Sequence, residues 1–261
     1  DRLRSRGLGD VYKRQTWNTK KFLLIMQYLD LSYREDFVVV CGDIHGEFET
    51  LAFNVVQKGI ENALVIIAGD CGFGFNKLAY YDDLYKQKLH MKLKKQNVIL
   101  LMVRGNYDAP LFFEKELIDY SYMKTLPDYT IVYTKGHNIL CVGGAVSIDR
   151  QFRLSQMDYN RILGKKLLPL YWKNESFRYD EEELQILQIE DIKIDTVITH
   201  SAPYFCPPLT KVDVEHFCAN DNELASDLDK ERKDFSRLYE WLIEDGHPPF
   251  QLVLRSFSCF C

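Results

Sequence analysis

Three times before residue 109, a short apolar run stops close to a glycine and gives way to acid, amide or imidazole side chains. Val38-Val39-Val40-Cys41 leads to Gly42-Asp43-Ile44-His45-Gly46. Ala63-Leu64-Val65-Ile66-Ile67-Ala68 leads to Gly69-Asp70-Cys71-Gly72-Phe73-Gly74, and the run from Asn97 to Val103 leads to Arg104-Gly105-Asn106-Tyr107-Asp108. An unbroken apolar, β-branched run reads as a strand buried on both faces. Helical patterns fill the gaps, roughly over 47–58 and 78–95. Repeated βα units form a largely parallel sheet with helices on its faces. Such sheets collect ligands beyond the carboxyl ends of their strands. All three polar clusters therefore belong to one edge. A lone Asp-x-His is as readily a polar loop; the repetition argues for a site.

The rest of the chain is less regular. Thr19 to Leu31 has the apolar spacing of a helix. Thr130–Thr134 and Ile139–Val142 read as a hairpin around Gly136-His137-Asn138. Val142-Gly143-Gly144-Ala145 then leads through Ser147-Ile148-Asp149-Arg150 into a polar segment ending near Gly164. An irregular, aromatic-packed connection is expected from Leu167 to Asp180, and Asp180 caps a helix to about Ile189. A strand from Asp195 to Thr199 ends in His200-Ser201-Ala202-Pro203. A helix from about 222 to 244 and a strand from Phe250 to Leu254 complete the pattern.

The 261 residues carry a net charge of -5 with no basic stripe, so nucleic acid is not an expected partner. Seven scattered cysteines suit free thiols in a reducing compartment better than a disulfide framework. No apolar run approaches the roughly 18 residues needed to cross a bilayer. These features predict a cytoplasmic protein with no membrane partner. Residues 1–18 read as a non-native or disordered tail, 19–254 as a single domain, and 255–261 as an aberrant or truncated end.

Asp43, His45, Asp70, Asn106 and His200 gather at the strand ends. Their oxygen and nitrogen donors suit Mn, Fe or Zn. A single ion does not need so many donors, whereas two ions about 3.5–4 Å apart with one bridging carboxylate would. Such a pair clamps phosphate and acidifies a bridging water at neutral pH. Against this, Asn106 alone would make an ordinary turn residue. His200 alone would make an ordinary loop histidine, and His137 in its hairpin has no chemical context.

These blocks resemble the calcineurin-like metallophosphoesterase superfamily, from about residue 37 to 254. Its pattern is Gly-Asp-x-His-Gly, Gly-Asp, Gly-Asn-His-Asp/Glu, an isolated His after a strand, and Gly-His-x-His. The resemblance implies an α/β fold, a two-sheet β-sandwich flanked by helices in four layers, α/β/β/α. It also implies that Asp43 and His45 hold a first divalent ion and Asn106 and His200 a second, with Asp70 bridging. A phosphate ester is the implied substrate, attacked by a metal-bridging hydroxide.

Two departures from the family pattern bear on activity. Tyr107 stands where the family has a histidine that serves the leaving group. A phenol with an ordinary pKa near 10 is a poorer acid at neutral pH. Asp108, the orienting acid of that block, remains, so Asp108 and Tyr107 are the catalytic candidates. Beyond Leu254 the chain reads Arg255-Ser256-Phe257-Ser258-Cys259-Phe260-Cys261 in place of Gly-His-x-His, which implies impaired turnover. Gly246-His247 precedes the last strand and brings no second histidine. Arg104 and Arg150, and also Arg153, could grip phosphate bidentately, and each could equally be an ordinary surface arginine.

The first block, ending in Glu47, leans toward phosphoprotein phosphatases, but the second lacks their Asp-Arg-Gly. Phosphoproteins, nucleotides and small phosphodiesters all stay open as substrates. The alternative function is a non-catalytic metal- or phosphate-binding scaffold on the same fold. A nucleotide-binding domain is disfavoured, because no turn carries G-x-G-x-x-G or a Walker lysine.

Overall fold

The computed structural model describes residues 26–32, 37–206, 214–247 and 251–254. In chain order the first elements are β1 (Tyr28–Asp30), β2 (Phe37–Cys41), α1 (Phe48–Gln57), β3 (Ala63–Ala68) and α2 (Leu78–Leu84). A π-helical turn, Tyr85–Leu89, joins α2 to α3 (His90–Gln96), and β4 (Val98–Val103) and α4 (Pro110–Glu114) follow. Next come β5 (Asp119–Tyr120), β6 (Met123–Thr125), β7 (Thr130–Thr134), β8 (His137–Val142) and α5 (Arg150–Ile162). The last are α6 (Glu181–Ile189), β9 (Thr196–Thr199), α7 (Val214–Cys218), α8 (Leu224–Glu244) and β10 (Gln251–Leu254).

The strands form two five-stranded sheets, ordered β2-β3-β4-β6-β5 and β1-β7-β8-β9-β10. In the first, β2, β3, β4 and β6 are parallel, as the βα repeats predict. In the second, only β7 and β8 pair antiparallel, as the predicted hairpin.

Why the runs are apolar on both faces is plain from the packing. From β3, Ala63, Val65 and Ile67 face α1 to α4, against Phe48, Tyr81 and Phe113. The alternate residues Leu64, Ile66 and Ala68 face the other sheet, against Val132, Ile139 and Ile198. That second sheet turns its far face, with Leu140 and Val197, to Leu184 on α6 and Phe235 and Leu238 on α8. Three apolar seams thus separate four layers, helix–sheet–sheet–helix.

One expectation is corrected. The predicted helix over 19–31 fails where it is described: Tyr28–Asp30 is an edge strand, parallel to β7. Its backbone is satisfied across the ladder, with Ile131 N–H donating to Gln27 O at 2.7 Å and Leu31 N–H to Tyr133 O at 3.0 Å. The remainder of that expectation, residues 19–25, lies outside the described residues, as do 1–18 and 255–261. The polar segment before Gly164, to which the sequence pattern assigns no element, is helical over Arg150–Ile162. Its inward face is made by Arg150 and Arg153 instead of aliphatic residues, so no apolar stripe announces it. The Asp180 cap is as expected, its carboxylate accepting from the N–H groups of Glu182 and Glu183. Among the described residues, no helix is long and apolar enough to cross a membrane.

Candidate metal centre

The loops after β2, β3 and β4 interlock before any side chain is considered. Ile44 and His45 donate their N–H groups to Asp70 O at 3.2 and 2.9 Å, and Gly46 donates to Cys71 O at 2.8 Å. His45 and Asp70 both hold positive φ, 42° and 49°. Left-handed backbone is costly without glycine and clusters at functional sites. Gly69 and Gly105 permit the closest approaches. A Cβ on Gly69 would lie 2.1 Å from His200 Nδ1, and one on Gly105 would lie 2.2 Å from Asp70 N and Oδ1.

Ligand atoms of Asp43, Asp70 and His200 lie within 4.8 Å of one another. His200 Nε2 is 3.3 Å from Asp70 Oδ1 and 3.1 Å from Asn106 Oδ1. Asp43 Oδ2 is 3.4 Å from Nε2 of the half-exposed His45. All five candidate donors therefore meet at one edge, four of them from the first sheet's loops and His200 from the end of β9.

Protonation fits a cation here. His200 Nδ1 lies 2.8 Å from Ala68 O, an acceptor only, so that nitrogen carries the hydrogen and Nε2 faces the carboxylates. Burial opposes charge on Asp70, but the protonated His200 ring and the Tyr107 N–H outweigh it and hold the carboxyl below its usual range. Burial opposes charge on His200 as well, and Asp70 nonetheless pushes it up to about 9. Carboxylates so placed call for positive charge, and this set of oxygens and imidazoles is one that Mn, Fe or Zn accepts.

Asp108 takes a different part from the one expected. It is fully buried, and its carboxylate accepts four backbone N–H groups, from Cys71, Gly72, Phe73 and Gly105, at 2.8–3.0 Å. It ties the β3 loop to the β4 loop and does not orient the Tyr107 hydroxyl. That hydroxyl donates to Asp149 Oδ2 at 2.8 Å. Burial pushes the Tyr107 pKa further up. Arg153 lies over the Tyr107 ring, 3.5 Å from its centroid, and donates to Asn106 O at 3.2 Å. The His45 ring meets Tyr107 edge-on at 5.2 Å.

Two of the three arginines proposed for phosphate are spoken for. Arg104 is buried and donates to the carbonyls of Glu175 and Ser176 and to Asp128 Oδ2 at 2.7 Å. Arg150 donates to both oxygens of Asp221 and to Asp227. Each holds loops together, and neither guanidinium is left for a substrate. His247 is far from a substitute ligand: its Nδ1 accepts the Ile194 N–H at 2.9 Å, and Nε2 faces Asp245.

Sequence reasoning passed over Ser147, Asp149 and Glu175 as contributors. Asn106 Nδ2 donates to Ser147 Oγ at 3.0 Å, and Ser147 N–H donates to Glu175 Oε1 at 2.7 Å. The available signal was the pair Gly143-Gly144 after β8, which repeats the strand–glycine–polar layout of the other three loops.

A family model described as calcineurin-like phosphoesterase matches residues 38–251. Among curated proteins, none matches the chain.

Proposed function

The chain belongs to the calcineurin-like phosphoesterase family, and on that premise we propose that it hydrolyses phosphate esters with two divalent ions. Asp43 and His45 would hold one ion, Asn106 and His200 the other, with Asp70 between them. The observation that carries this reading is the convergence of Asp43, Asp70 and His200 within 4.8 Å, with the Asn106 oxygen alongside His200. When bound, such a pair supplies clamping of the phosphate, acidification of water and neutralisation of charge during in-line displacement.

The chain's own groups set the rest. The Tyr107 N–H donates to Asp70 Oδ1 at 2.8 Å and fixes the carboxylate that would serve both ions. Ala68 O holds the His200 tautomer, and Asp108 holds the loops that carry Asp70 and Asn106. The Tyr107 hydroxyl gives its hydrogen to Asp149, so at neutral pH it is no proton source for a leaving group. Esters whose leaving group departs as a stable anion are the favoured substrates. Phosphoproteins, nucleotides and small phosphodiesters are the substrate classes in view, and within each this favours aryl esters and phosphoanhydrides over alkyl esters.

The test is Mn-dependent hydrolysis of p-nitrophenyl phosphate and its bis-ester, with a chelated sample as control. Turnover that returns with Mn supports the reading. Tight Mn binding without turnover of either ester would instead favour the second reading, a non-catalytic metal- or phosphate-binding scaffold, for which the engaged Tyr107 hydroxyl speaks.

A further inference from the structure

An asparagine amide offers two nearly isosteric ends, and only the oxygen end can bind a cation. Which end Asn106 turns toward His200 is decided by what receives the other. Its Nδ2 meets Ser147 Oγ at 3.0 Å, while its Oδ1 lies 3.1 Å from His200 Nε2. Ser147 is completely buried in the loop after β8, and Glu175 Oε1 accepts its backbone N–H at 2.7 Å.

Glu175 is itself set rigidly. It is 1% exposed, and its carbonyl accepts from both Ala145 N–H and the Arg104 guanidinium. Gly144 N–H in turn donates to Arg104 O at 2.7 Å. The loop after β8, the end of β4 and the segment around Glu175 therefore form one unit. Burial pushes the Glu175 carboxyl up to about 8. A group kept there at such electrostatic cost is unusual where an apolar residue would fill the space.

We propose that Ser147 and Glu175 are positioning residues for the second metal position. Glu175 fixes the Ser147 backbone, and Ser147 fixes the Asn106 amide with its oxygen toward the ion. This rests on the assignment of Asn106 and His200 to an ion.

Titration of the wild-type protein with Mn2+ is therefore the control, read by calorimetry and by the electron paramagnetic resonance of an exchange-coupled Mn pair. Fewer than two sites in the wild type would overturn the metal assignment, and this proposal with it. Given two sites, Ser147→Ala and Glu175→Ala should each weaken the second ion by about 10–100-fold, the usual effect of losing a partner behind a ligand. The first ion should hold within about threefold, and the coupled-pair signal should disappear at stoichiometric Mn2+. Glu175→Gln keeps an oxygen for the Ser147 N–H and should restore the second site to within about threefold.

Equal weakening of both ions, or a lowered Tm with both affinities intact, marks a merely structural role and overturns the proposal. So does a Glu175→Gln variant that behaves like Glu175→Ala. If Glu175→Ala does not fold, Ser147→Ala and Glu175→Gln decide.

Discussion

Tyr107 meets its surroundings as an aromatic wall, with its hydrogen on Asp149 and Arg153 across its face. Tyr107→Phe should therefore leave p-nitrophenyl phosphate turnover within about threefold, since no acid is lost. Tyr107→His should raise the rate on alkyl phosphates, whose leaving groups need a proton, by about tenfold or more, toward the range a general acid supplies. Comparing kcat for aryl and alkyl esters across the three proteins checks both; a Tyr107→Phe loss of a hundredfold would make the phenol an acid after all. At the bridging position, Asp70→Asn should remove most bound metal, and retention of two ions per chain would refute the bridge. The recurrence of polar groups just past apolar strands made Asp43, His45, Asp70, Asn106 and His200 legible as candidates, and the structure brings them to one edge. The arginines were not legible in the same way. Arg104 is answered by Asp128 and the Glu175 carbonyl, and Arg150 by Asp221, partners 24 to 71 positions away. A sequence shows that a guanidinium is present and conceals what neutralises it.

Asp108 shows how an element boundary is held. Oδ1 accepts from Gly72 and Phe73, and Oδ2 from Cys71 and Gly105. In Asp108→Asn an amide N–H2 would face two N–H donors. The loss should be about 3 kcal/mol, a typical sum for two hydrogen bonds to a buried charge. Urea unfolding of chelated protein measures it, and a change below about 0.5 kcal/mol would refute the tie. Gly69→Ala would push a methyl into the His200 ring and should abolish tight metal binding at the second position. Elements with a strong apolar period were readable: β2, β3, β4, the hairpin and α8 all fall where the pattern puts them. Those without one were not. The helix α5 packs through arginines, and β1 gains its structure from the β7 ladder, a long-range pairing that outranks local helical spacing.

Over the whole molecule, buried carboxyls set a pH dependence. Burial raises Glu175 to about 8 and Glu231 to about 7, from 4.5 in the unfolded chain. Both bind protons more tightly when folded, so their contribution is complete below pH 4.5 and is lost as pH rises through 7 and 8. His200, raised to about 9 in the metal-free protein, adds a loss from pH 6.5 upward. Asp221 opposes them at the acid end: Arg150 lowers it to about 2 from 3.8, so its contribution is lost as pH falls through 2. The urea midpoint of chelated protein should therefore be higher at pH 5.5 than at pH 8.5, and Glu175→Gln should flatten the difference. A midpoint that climbs with pH over that interval would contradict the burial of these groups.

His200 reaches the centre from the end of β9, while Asp43, Asp70 and Asn106 come from the opposite half of the sandwich. An ion held by Asn106 and Asp70 on one side and His200 on the other would therefore bolt two plates together, and occupancy of that second position becomes a clamp on the seam between them. Anything that pries β9 outward would empty that second position without disturbing a single carboxylate.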